Sequence, residues 1–394
     1  MQTYYQDMRL GVLGGGQLGR MLIQAAIDFN LHIHVLDPSP EAPCRPYAHH
    51  FEVGSLTDYD TVYRFGQQVD LLTIEIEHVN ADALAALQQE GKLVYPDPAV
   101  IRLIQDKRLQ KQFFIDHDFP TSPFRLVNDR AEVQAAREML PAVHKLGKAG
   151  YDGRGVQILR SEVDLDRAFD APGLLERFVP FEKEVAVLVG RNRQGDTAAF
   201  PVVEMVFHPE HNLVEYLFAP AELSMALAVQ AQDLATRLAH ALDYVGVMAV
   251  EMFLTPQGQL LINEVAPRPH NSGHHTIRAC LTSQYEQHLR GILGLPLGNP
   301  EQKLPAAMVN LLGEDGFHGQ TYYQGIEEAL AIGGVYPHLY GKAETRPFRK
   351  MGHVTLLDQD RDELRQKVAR VKDLIKVVSR GDNVPDAELD VHSS

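Results

Sequence analysis

The chain has 394 residues, 45% of them apolar and 23% charged, which predicts two or three globular domains with ample apolar core. Its 37 basic and 52 acidic side chains give a net charge of −15. This balance argues against a protein that grips nucleic acid over a wide surface, because phosphate binding needs basic groups. Two cysteines cannot form a disulfide framework and fit a reduced compartment. No signal-peptide pattern and no apolar run near the roughly 18 residues of a membrane span are found, so a cytoplasmic enzyme is expected.

The first hundred residues alternate apolar runs with helical patterns. Strands are predicted at Arg9–Leu13, His32–Asp37, Val69–Ile76 and Lys92–Tyr95, and a helix is predicted at Leu18–Asp28. Strands separated by helices are typical of βαβ units and therefore indicate a parallel sheet.

The pattern changes after residue 96. Ile104–His117 is predicted to be one amphipathic helix, and the prolines of Phe119–Pro123 predict a linker. Further along the chain we expect a helix, a second linker and a charged C-terminal helix, which are Glu222–Tyr244, Leu293–Pro305 and Arg361–Val378.

A first glycine loop, Gly14–Gly19, follows the first strand. Gly14, Gly16 and Gly19 fit the G-x-G-x-x-G fingerprint, and Asp37 ends the next strand where a ribose-binding acid is expected. Such glycines let backbone N–H groups approach any phosphate at a helix N-terminus. The loop therefore predicts NAD, another phosphate ligand, or simple packing of a helix on a sheet.

A second glycine loop, Gly150–Gly155, follows a short predicted strand, Ala142–His144, and Lys145. Backbone donors together with a lysine point charge suit the phosphate tail of a nucleoside triphosphate. The alternative is an ordinary hairpin turn, since Asp-Gly is a common turn dipeptide.

Two glutamates lie on strands that flank a Pro-Gln turn. The strands are predicted at Val245–Leu254 and Gln259–Val265, with Leu254 opposite Gln259 and Glu251 opposite Ile262. Glu264 is then a diagonal neighbour of Glu251 on the same face of the sheet.

Two close carboxylates in a buried sheet repel each other unless a proton or cation lies between them. Magnesium is the expected occupant, because it prefers oxygen ligands and accompanies phosphates. The alternatives are that one glutamate pairs with Arg268 or faces water, or that a register slip of one residue separates the two.

Three further segments are weaker signals. Glu176–Val179 and Glu184 follow an apolar strand and could read adenine and ribose, although such a segment is usually only a strand. The loop Asn263–Thr276 contains Arg268 and three histidines. We expect an anion pocket there rather than a zinc site, because Pro269 and Gly273 break helical spacing. Three cations among residues 346–350 predict either a solvated loop or a phosphate site.

Together these motifs resemble the ATP-grasp superfamily, and more closely its N5-carboxyaminoimidazole ribonucleotide synthetase family, the ATPase subunits of phosphoribosylaminoimidazole carboxylase. The match runs from Gly11–Met21 to Arg346–His353 and is most specific at the second glycine loop and at Asn263–Thr276. The resemblance implies an α/β and α+β fold with an N-terminal parallel-sheet pre-ATP-grasp domain, a lid-bearing ATP-grasp core and a small C-terminal domain. The implied boundaries are 1–104, 105–295 with the lid at about 120–183, and 300–380, followed by a disordered tail, 381–394.

The resemblance also implies roles for individual residues. ATP would be bound by Lys107, Lys145, Gly150, Tyr151, Asp152, Gly153, Arg154, Gly155, Glu176, Arg177, Phe178, Val179, Glu184, Asn263 and Glu264. The ribonucleotide substrate would be bound by Gly16, Gln17, Leu18, Glu75, Asn271, Ser272, Arg346 and Lys350. The residues implied near the transferred carboxyl group are Tyr151, Arg154, Arg268 and His270, and the implied metal ligands are Glu251 and Glu264.

The implied activity is the ATP-dependent carboxylation of aminoimidazole ribonucleotide in purine biosynthesis. Bicarbonate attacks ATP to give carboxyphosphate and ADP, and the amine then takes the carboxyl group directly or through trapped carbon dioxide. The implied cofactors are ATP and two Mg²⁺ ions, or Mn²⁺, and the implied partners are a second copy of the chain and a downstream mutase. The alternatives are a formate-dependent glycinamide ribonucleotide ligase, an NAD-dependent dehydrogenase and a non-catalytic nucleotide sensor.

The sequence departs from the family pattern at three places. Lys107 stands where the family often has arginine, and His78 stands where it usually has asparagine. The family's Glu-Asn-x-His stretch is Glu204–Phe207 here, so either His208 or His211 could replace the missing histidine.

Overall fold

The computed structural model describes residues 7–148, 155–207 and 213–381. The chain divides into two compact units, Met1–Lys303 and Leu304–Ser394. Within the described residues, no helix is both long enough and apolar enough to cross a membrane. The part of the predicted tail beyond Gly381 lies outside the described residues.

The first unit begins with a parallel five-stranded sheet in the order β3-β2-β1-β4-β5. This confirms the predicted parallel sheet, and β3 is a half-exposed edge strand that the sequence pattern missed. The order reverses between β1 and β4, so the carboxyl ends of these two strands meet at the place where open α/β sheets bind ligands. The strands are β1 (Arg9–Leu13), β2 (His32–Asp37), β3 (His50–Val53), β4 (Leu71–Ile74) and β5 (Leu93–Val94). The helices are α1 (Gln17–Asp28), α2 (Tyr59–Gln67), α3 (Ala81–Gln89), α4 (Pro98–Gln105) and α5 (Lys107–Asp116).

The single helix predicted at Ile104–His117 is wrong. Asp106 adopts an extended conformation and separates α4 from α5, and its carboxylate caps α5 by accepting from the N–H of Arg108. The break places Lys107 at the first position of α5, where its N–H donates to the carbonyl of Gly147 (2.8 Å). A polar N-cap inside an apolar pattern therefore ends one helix and begins another.

An antiparallel four-stranded sheet follows, in the order β6-β9-β7-β8. Its strands are β6 (Phe124–Val127), β7 (Ala142–Leu146), β8 (Val156–Leu159) and β9 (Gly173–Arg177). Helix α6 (Arg130–Ala135) and two 3-10 segments, Arg137–Met139 and Glu162–Arg167, together cover a small apolar core. The second glycine loop connects β7 to β8, and only its last residue, Gly155, belongs to the described residues.

The rest of the first unit is an antiparallel sheet in the order β15-β14-β10-β12-β13, with β11 on β10. Its strands are β10 (Lys183–Arg191), β11 (Thr197–Ala199), β12 (Val203–Phe207), β13 (Val214–Ala219), β14 (Gly246–Leu254) and β15 (Leu260–Ala266). Helix α7 (Met225–Ala241) packs its alanine-rich side onto Val187 and Val250. Because side chains alternate along a strand, Glu184 and Glu251 point to the opposite face. Two helices complete the unit, α8 (Thr276–Ala279) and α9 (Gln284–Leu293).

The second unit contains two small antiparallel arrangements, β16-β20-β18 and β19-β17-β21. Its strands are β16 (Ala306–Leu312), β17 (Gly319–Gln324), β18 (Val335–Leu339), β19 (Glu344–Thr345), β20 (Lys350–Leu357) and β21 (Lys376–Ser379), and its helices are α10 (Ile326–Leu330) and α11 (Arg361–Leu374). The helix predicted to reach Val378 ends at Leu374, because Lys376–Ser379 pairs with β17 and buries two valines.

Candidate functional site

Strands β14 and β15 bring two carboxylates directly opposite each other. Glu251 pairs with Glu264 in antiparallel register, which puts both side chains on one face of the sheet. Asn263 is the extra residue of a β-bulge beside this pair. Since the bulge adds one residue, Ile262 and Val265 both reach the core although they are three positions apart. We call β14, β15 and this bulge the bulged hairpin.

The predicted pairing of Leu254 with Gln259, and of Glu251 with Ile262, is wrong by one residue. Leu254 pairs with Leu260, because the N–H of Thr255 donates to the carbonyl of Gln259 (2.9 Å) and closes a three-residue loop. An unbulged continuation of this register would separate the two glutamates onto opposite faces. The bulge restores the predicted shared face and makes the two glutamates direct rather than diagonal neighbours.

Lysine side chains reach the same end of the sheet from two other elements. Lys107 Nζ at the start of α5 lies 2.5 Å from Glu264 Oε2. Lys145 Nζ at the end of β7 donates to Asn263 Oδ1 at 2.9 Å. The bulge therefore presents Asn263 as well as Glu264 to the cations predicted to bind ATP phosphates.

A third lysine, Lys111, was missed by the sequence analysis. Its ammonium group is 3.0 Å from Glu176 Oε1, and Lys145 is 3.0 Å from Glu176 Oε2, so one buried carboxylate holds two lysines. Lys111 also donates to the hydroxyl groups of Thr121 and Ser122. The available signal was a lysine on the apolar side of a helical pattern.

Burial and neighbouring charges shift several pKa values in this cluster. Lys107 holds the pKa of Glu264 down at about 2 despite burial of that carboxyl group. Burial, with the charge of Glu264 nearby, raises the pKa of Glu184 to about 8. Burial lowers the pKa of Lys111 to about 8, although Glu176 opposes the shift. The site thus combines paired carboxylates and lysines with one carboxyl group, Glu184, whose ionised form is disfavoured.

Glu251 and Glu264 fit a hard divalent cation. Both are oxygen donors on one face, and 40% of the Glu264 side chain remains exposed. Two carboxylates leave most coordination positions to phosphate oxygens and water, which is how magnesium is usually held.

In the predicted adenine-reading segment, Glu176–Val179, several polar groups already bind other parts of the chain. The Glu176 side chain is bound by lysines, and the N–H groups of Arg177 and Phe178 donate to the carbonyls of Pro123 and Pro141 (2.9 Å each). These two N–H groups therefore fix β9 rather than face a ligand. Val179 and Glu184 continue from this segment into β10, next to the bulged hairpin.

The loop after β15 brings Arg268 and His270 beside acidic groups. Arg268 Nη2 lies 2.9 Å from Glu77, and His270 Nε2 lies 3.5 Å from Glu251 Oε1. Ser272 fixes the ring orientation, because its backbone N–H donates to His270 Nδ1 at 3.3 Å. Nδ1 is then an acceptor, so neutral His270 carries its proton on Nε2, the nitrogen that faces Glu251.

The three histidines of this loop do not form a zinc site. Nδ1 of His275 bonds to the carbonyl of Ser272 at 3.1 Å, and Nδ1 of His274 lies 3.2 Å from the hydroxyl of Tyr285. Over residues 7–148, 155–207 and 213–381, no three His, Cys, Asp or Glu side chains are grouped to hold a metal ion. Asn271 is buried in a 3-10 turn with Ser272.

Carboxylates of the same chain occupy the backbone N–H groups of the first glycine loop. Glu75, at the end of β4, accepts from the N–H groups of Gly16 (2.8 Å) and Gly19 (2.9 Å). Asp37 accepts from the N–H of Gly15 at 2.7 Å. A Cβ on Gly14 would stand 2.4 Å from the Glu75 side chain, so glycine is required for the approach of this carboxylate. The backbone donors that would bind a dinucleotide phosphate are therefore already occupied.

The remaining predicted residues of this loop have different environments. Leu18 is buried, whereas Gln17 is only partly buried. Burial raises the pKa of Glu75, and the two glycine N–H groups oppose that shift.

The cations of the second unit lie at the start of β20. Lys350 is half-buried and its carbonyl accepts from Lys342 Nζ at 2.6 Å. Burial and the charge of Arg346 lower the pKa of Arg349, whose side chain donates to the carbonyl of Glu344. Arg346 and Arg349 therefore lie close enough for each positive charge to disfavour the other.

Several predicted residues lie outside the described residues. They are Gly150, Tyr151, Asp152, Gly153 and Arg154 of the second glycine loop, and His208 and His211.

Comparison with known protein families identifies three domains along the chain. The ribonucleotide synthetase preATP-grasp domain matches residues 7–105, the ATP-grasp domain matches 112–285, and the phosphoribosylaminoimidazole carboxylase C-terminal domain matches 306–367. Together the three matches cover most of both units.

Relatives of known name span nearly the whole chain. The N5-carboxyaminoimidazole ribonucleotide synthase of Bacillus subtilis is 36% identical over 93% of this chain and 96% of its own length. The chloroplastic phosphoribosylaminoimidazole carboxylase of Vigna aconitifolia is 40% identical over 92% of this chain, which spans 66% of that longer protein.

Solved structures give the same result. The N5-carboxyaminoimidazole ribonucleotide synthetase of Thermotoga maritima has a TM-score of 0.88 at 42% identity, over 95% of this chain and all of that one. The N5-carboxyaminoimidazole synthase of Aspergillus clavatus, solved with ADP and 5-aminoimidazole ribonucleotide, has a TM-score of 0.85 at 33% identity, over 94% of this chain and 98% of that one.

Proposed function

Since the chain belongs to the N5-carboxyaminoimidazole ribonucleotide synthase family of ATP-grasp ligases, we propose that it carboxylates 5-aminoimidazole ribonucleotide with bicarbonate and ATP. The products are N5-carboxyaminoimidazole ribonucleotide, ADP and phosphate. The observation that carries this proposal is the bulged hairpin, where facing carboxylates and three lysines form a site suited to a metal-bound triphosphate.

The first step is phosphoryl transfer. A bicarbonate oxygen attacks the γ-phosphorus of ATP, the bond to the ADP oxygen breaks, and carboxyphosphate forms. Lys145 and Lys107 neutralise the phosphate oxygens, and Glu176 with Asn263 holds Lys145 in place. Glu251 and Glu264 would hold two Mg²⁺ ions, or Mn²⁺, which supply charge neutralisation when bound.

The second glycine loop is proposed to cover the phosphates. Gly150–Gly155 would bind the ATP phosphates, because a glycine-rich loop offers backbone N–H donors, and the family resemblance assigns Tyr151 and Arg154 to the transferred carboxyl group. A closed loop keeps water away from the acyl phosphate, which would otherwise hydrolyse. Val179 and Glu184 bind the adenosine part.

Arg268 and His270 are proposed to hold bicarbonate and then carboxyphosphate as anions. Each already faces a carboxylate, Glu77 for Arg268 and Glu251 for His270. These contacts fix the orientation of the Arg268 guanidinium group and of the His270 Nε2–H group. In the second step the ribonucleotide amine bonds to the carboxyl carbon, directly or as trapped carbon dioxide, while phosphate leaves and the amine loses a proton.

The ribonucleotide itself is proposed to be bound by two groups of residues. Arg346 and Lys350 bind its phosphate, supported by the crowded positive charge at the start of β20. The base side is bound by Gly16–Leu18, Glu75, Asn271 and Ser272. In this role Glu75 acts from a fixed position, because two N–H groups of the first glycine loop hold its carboxylate.

We also propose the domain limits 1–104, 105–295 and 300–380, a homodimer, and supply of the product to a mutase. Family resemblance supports these points, and two buried free cysteines support a reducing, cytoplasmic setting. Sedimentation equilibrium tests the dimer, since a single species at the mass of one chain would contradict it.

The activity is tested by ADP release with ATP, Mg²⁺ and aminoimidazole ribonucleotide, in degassed buffer with either bicarbonate or formate added. Only bicarbonate should support turnover, with one labelled carbon incorporated for each ADP. The same assay is repeated with glycinamide ribonucleotide in place of aminoimidazole ribonucleotide. Formate-dependent ADP release with that substrate would contradict the proposal and favour the rival ligase.

A further inference from the structure

The main chain of His270 is held on both sides by one side chain, that of Gln284. The N–H of His270 donates to Gln284 Oε1 at 2.8 Å, and Gln284 Nε2 donates to the carbonyl of His270 at 2.8 Å. Backbone N–H groups only donate and carbonyls only accept, so the amide orientation is unambiguous. Gln284 is fully buried at the first position of α9.

The surrounding sequence makes this clamp important for the loop. Pro269 precedes His270 and has no N–H, and the 3-10 turn Asn271–Gly273 begins only after it. Gly273 leaves room for the clamp, because a Cβ there would stand 2.4 Å from Gln284 Oε1. The His270 N–H therefore has its acceptor in Gln284 Oε1, and the His270 carbonyl accepts from Gln284 Nε2 as well as from the N–H of Gly273 (2.9 Å), whereas Ser272 contacts the ring.

We propose that Gln284 is a positioning residue for carboxyl transfer, which clamps the His270 main chain so that Nε2 is presented beside Glu251. This inference rests on the proposed anion-holding role of His270. Displacement of a reacting group by about 1 Å can cost about a hundredfold in rate, so a lost clamp should be visible in kinetics.

Helix α9 also contains a matched control. Gln287 makes the same bidentate clamp on another backbone, with its Nε2 donating to the carbonyl of Gly298 (3.0 Å) and the N–H of Gly298 donating to its Oε1 (2.7 Å). It is equally buried, but Gly298 lies in the segment after α9 and contributes nothing to the site. The two glutamines make the same clamp on different main chains, and Gln284 Nε2 also lies 3.3 Å from Nδ1 of His274.

The first experiment compares Gln284→Met with Gln287→Met, because methionine keeps the length of the side chain and removes both hydrogen bonds to the main chain. We expect similar losses of stability on urea unfolding. Only Gln284→Met should lower kcat/KM for bicarbonate, by about ten- to a hundredfold, with KM for ATP unchanged. Equal kinetics in the two variants, or an equal loss toward ATP, would overturn the inference.

A second variant covers the case in which Gln284→Met does not fold. Gln284→Glu keeps the acceptor for the His270 N–H but turns an oxygen toward the His270 carbonyl, and only the protonated acid can donate there. We expect its loss in kcat/KM relative to wild type to shrink from pH 8 to pH 6, while Gln287→Glu shows no such trend. A loss independent of pH would overturn the inference.

A double-mutant cycle separates this inference from the proposed function. In a His270→Ala background, Gln284→Met should cause no further kinetic loss, because its effect passes through His270. If His270→Ala alone keeps wild-type kinetics, the proposed role of His270 is wrong. If His270→Ala is impaired but Gln284→Met is not, only the positioning role fails.

Discussion

The first glycine loop and the bulged hairpin both place acidic side chains where a phosphate ligand could bind, but they use them in opposite ways. In the first glycine loop, Glu75 and Asp37 accept from the backbone N–H groups and complete their hydrogen bonding. In the bulged hairpin, Glu251 and Glu264 face each other, and 40% of the Glu264 side chain is exposed. The carboxylates of the first region are held by backbone N–H groups, whereas in the second region Glu264 pairs with Lys107 and Glu251 lies beside His270.

The difference shows that a phosphate-binding pattern has to be judged by which donors remain available. The fingerprint glycines allow close approach, and a carboxylate of the same chain makes that approach. The hairpin shows no glycine fingerprint, yet its bulge, lysines and paired carboxylates form the site suited to nucleotide and metal. We therefore expect mutations in the first region to alter mainly stability or substrate binding, and those in the second to abolish turnover.

The largest effect is expected for Glu264→Gln. The neutral side chain removes one charge from the proposed metal site, and ADP formation should fall by about a hundred- to a thousandfold, the loss typical when one group that stabilises transition-state charge is removed. A coupled assay of ADP release measures this. Glu286→Gln, which breaks a surface ion pair with Arg290, is the control and should stay near wild type. Near wild-type turnover of Glu264→Gln would remove the functional contrast between the two regions.

Lys350→Ala should lower kcat/KM for the ribonucleotide by about ten- to a hundredfold, the effect of one lost charge-assisted hydrogen bond. The affinity for ATP should stay unchanged, because the bulged hairpin binds the nucleotide. Arg370→Ala, on α11 in the same unit, serves as the control for general loss of positive charge. An equal loss toward ATP would show that the phosphate site was assigned wrongly.

Glu75→Gln should cost about 1–3 kcal/mol in the free energy of unfolding, since one of the two loop N–H groups loses its acceptor in a partly buried site. Urea unfolding monitored by circular dichroism measures this change. The same substitution at exposed Glu90 is the control. An unchanged unfolding free energy for Glu75→Gln would mean that the first glycine loop does not depend on its internal carboxylate.

The last of these predictions concerns pH and the framework behind both regions. His288 is buried between the N–H of Val247 and the hydroxyl of Thr73, and burial lowers its pKa to about 3 from 6.5. A histidine that is neutral when folded but protonated when unfolded contributes stability above pH 6.5 that is lost as the pH falls toward 3. His275, with a pKa of about 4, adds to this loss. Each should contribute up to about 1.4 kcal/mol per pH unit in that window, as measured by urea unfolding at several pH values. A pH-independent unfolding free energy between pH 7 and pH 5 would contradict it.

Much of the fold could be predicted because the spacing of apolar residues along the sequence indicates which side chains are buried. The strands around Arg9–Leu13 and His32–Asp37 and the parallel sheet followed from apolar runs separated by helical patterns. The division at Asp106 could not be read from the same periodicity, because a helix cap is a local hydrogen bond that leaves the apolar spacing intact.

The site was predictable in its composition but less so in its geometry. The shared face of Glu251 and Glu264 was predicted, whereas the three-residue loop and the bulge at Asn263 that produce it were not. Lys111 was missed because its role depends on Glu176, a partner far along the chain, and Gln284 was missed because it acts on the main chain of His270, which leaves no pattern of side chains. The internal filling of the first glycine loop also depends on a strand that comes about sixty residues later, since Glu75 lies 59 residues from Gly16.

The central claim is that the nucleotide binds at the bulged hairpin and not at the first glycine loop. Thermal unfolding with added ligand tests this directly, in wild type and Glu264→Gln. ADP with Mg²⁺ should stabilise the wild-type protein by about 2.7 kcal/mol at a hundredfold excess over its dissociation constant, and Glu264→Gln should lose most of this effect. NADH should stabilise neither protein. Stabilisation by NADH, or an ADP effect that Glu264→Gln leaves intact, would contradict the account.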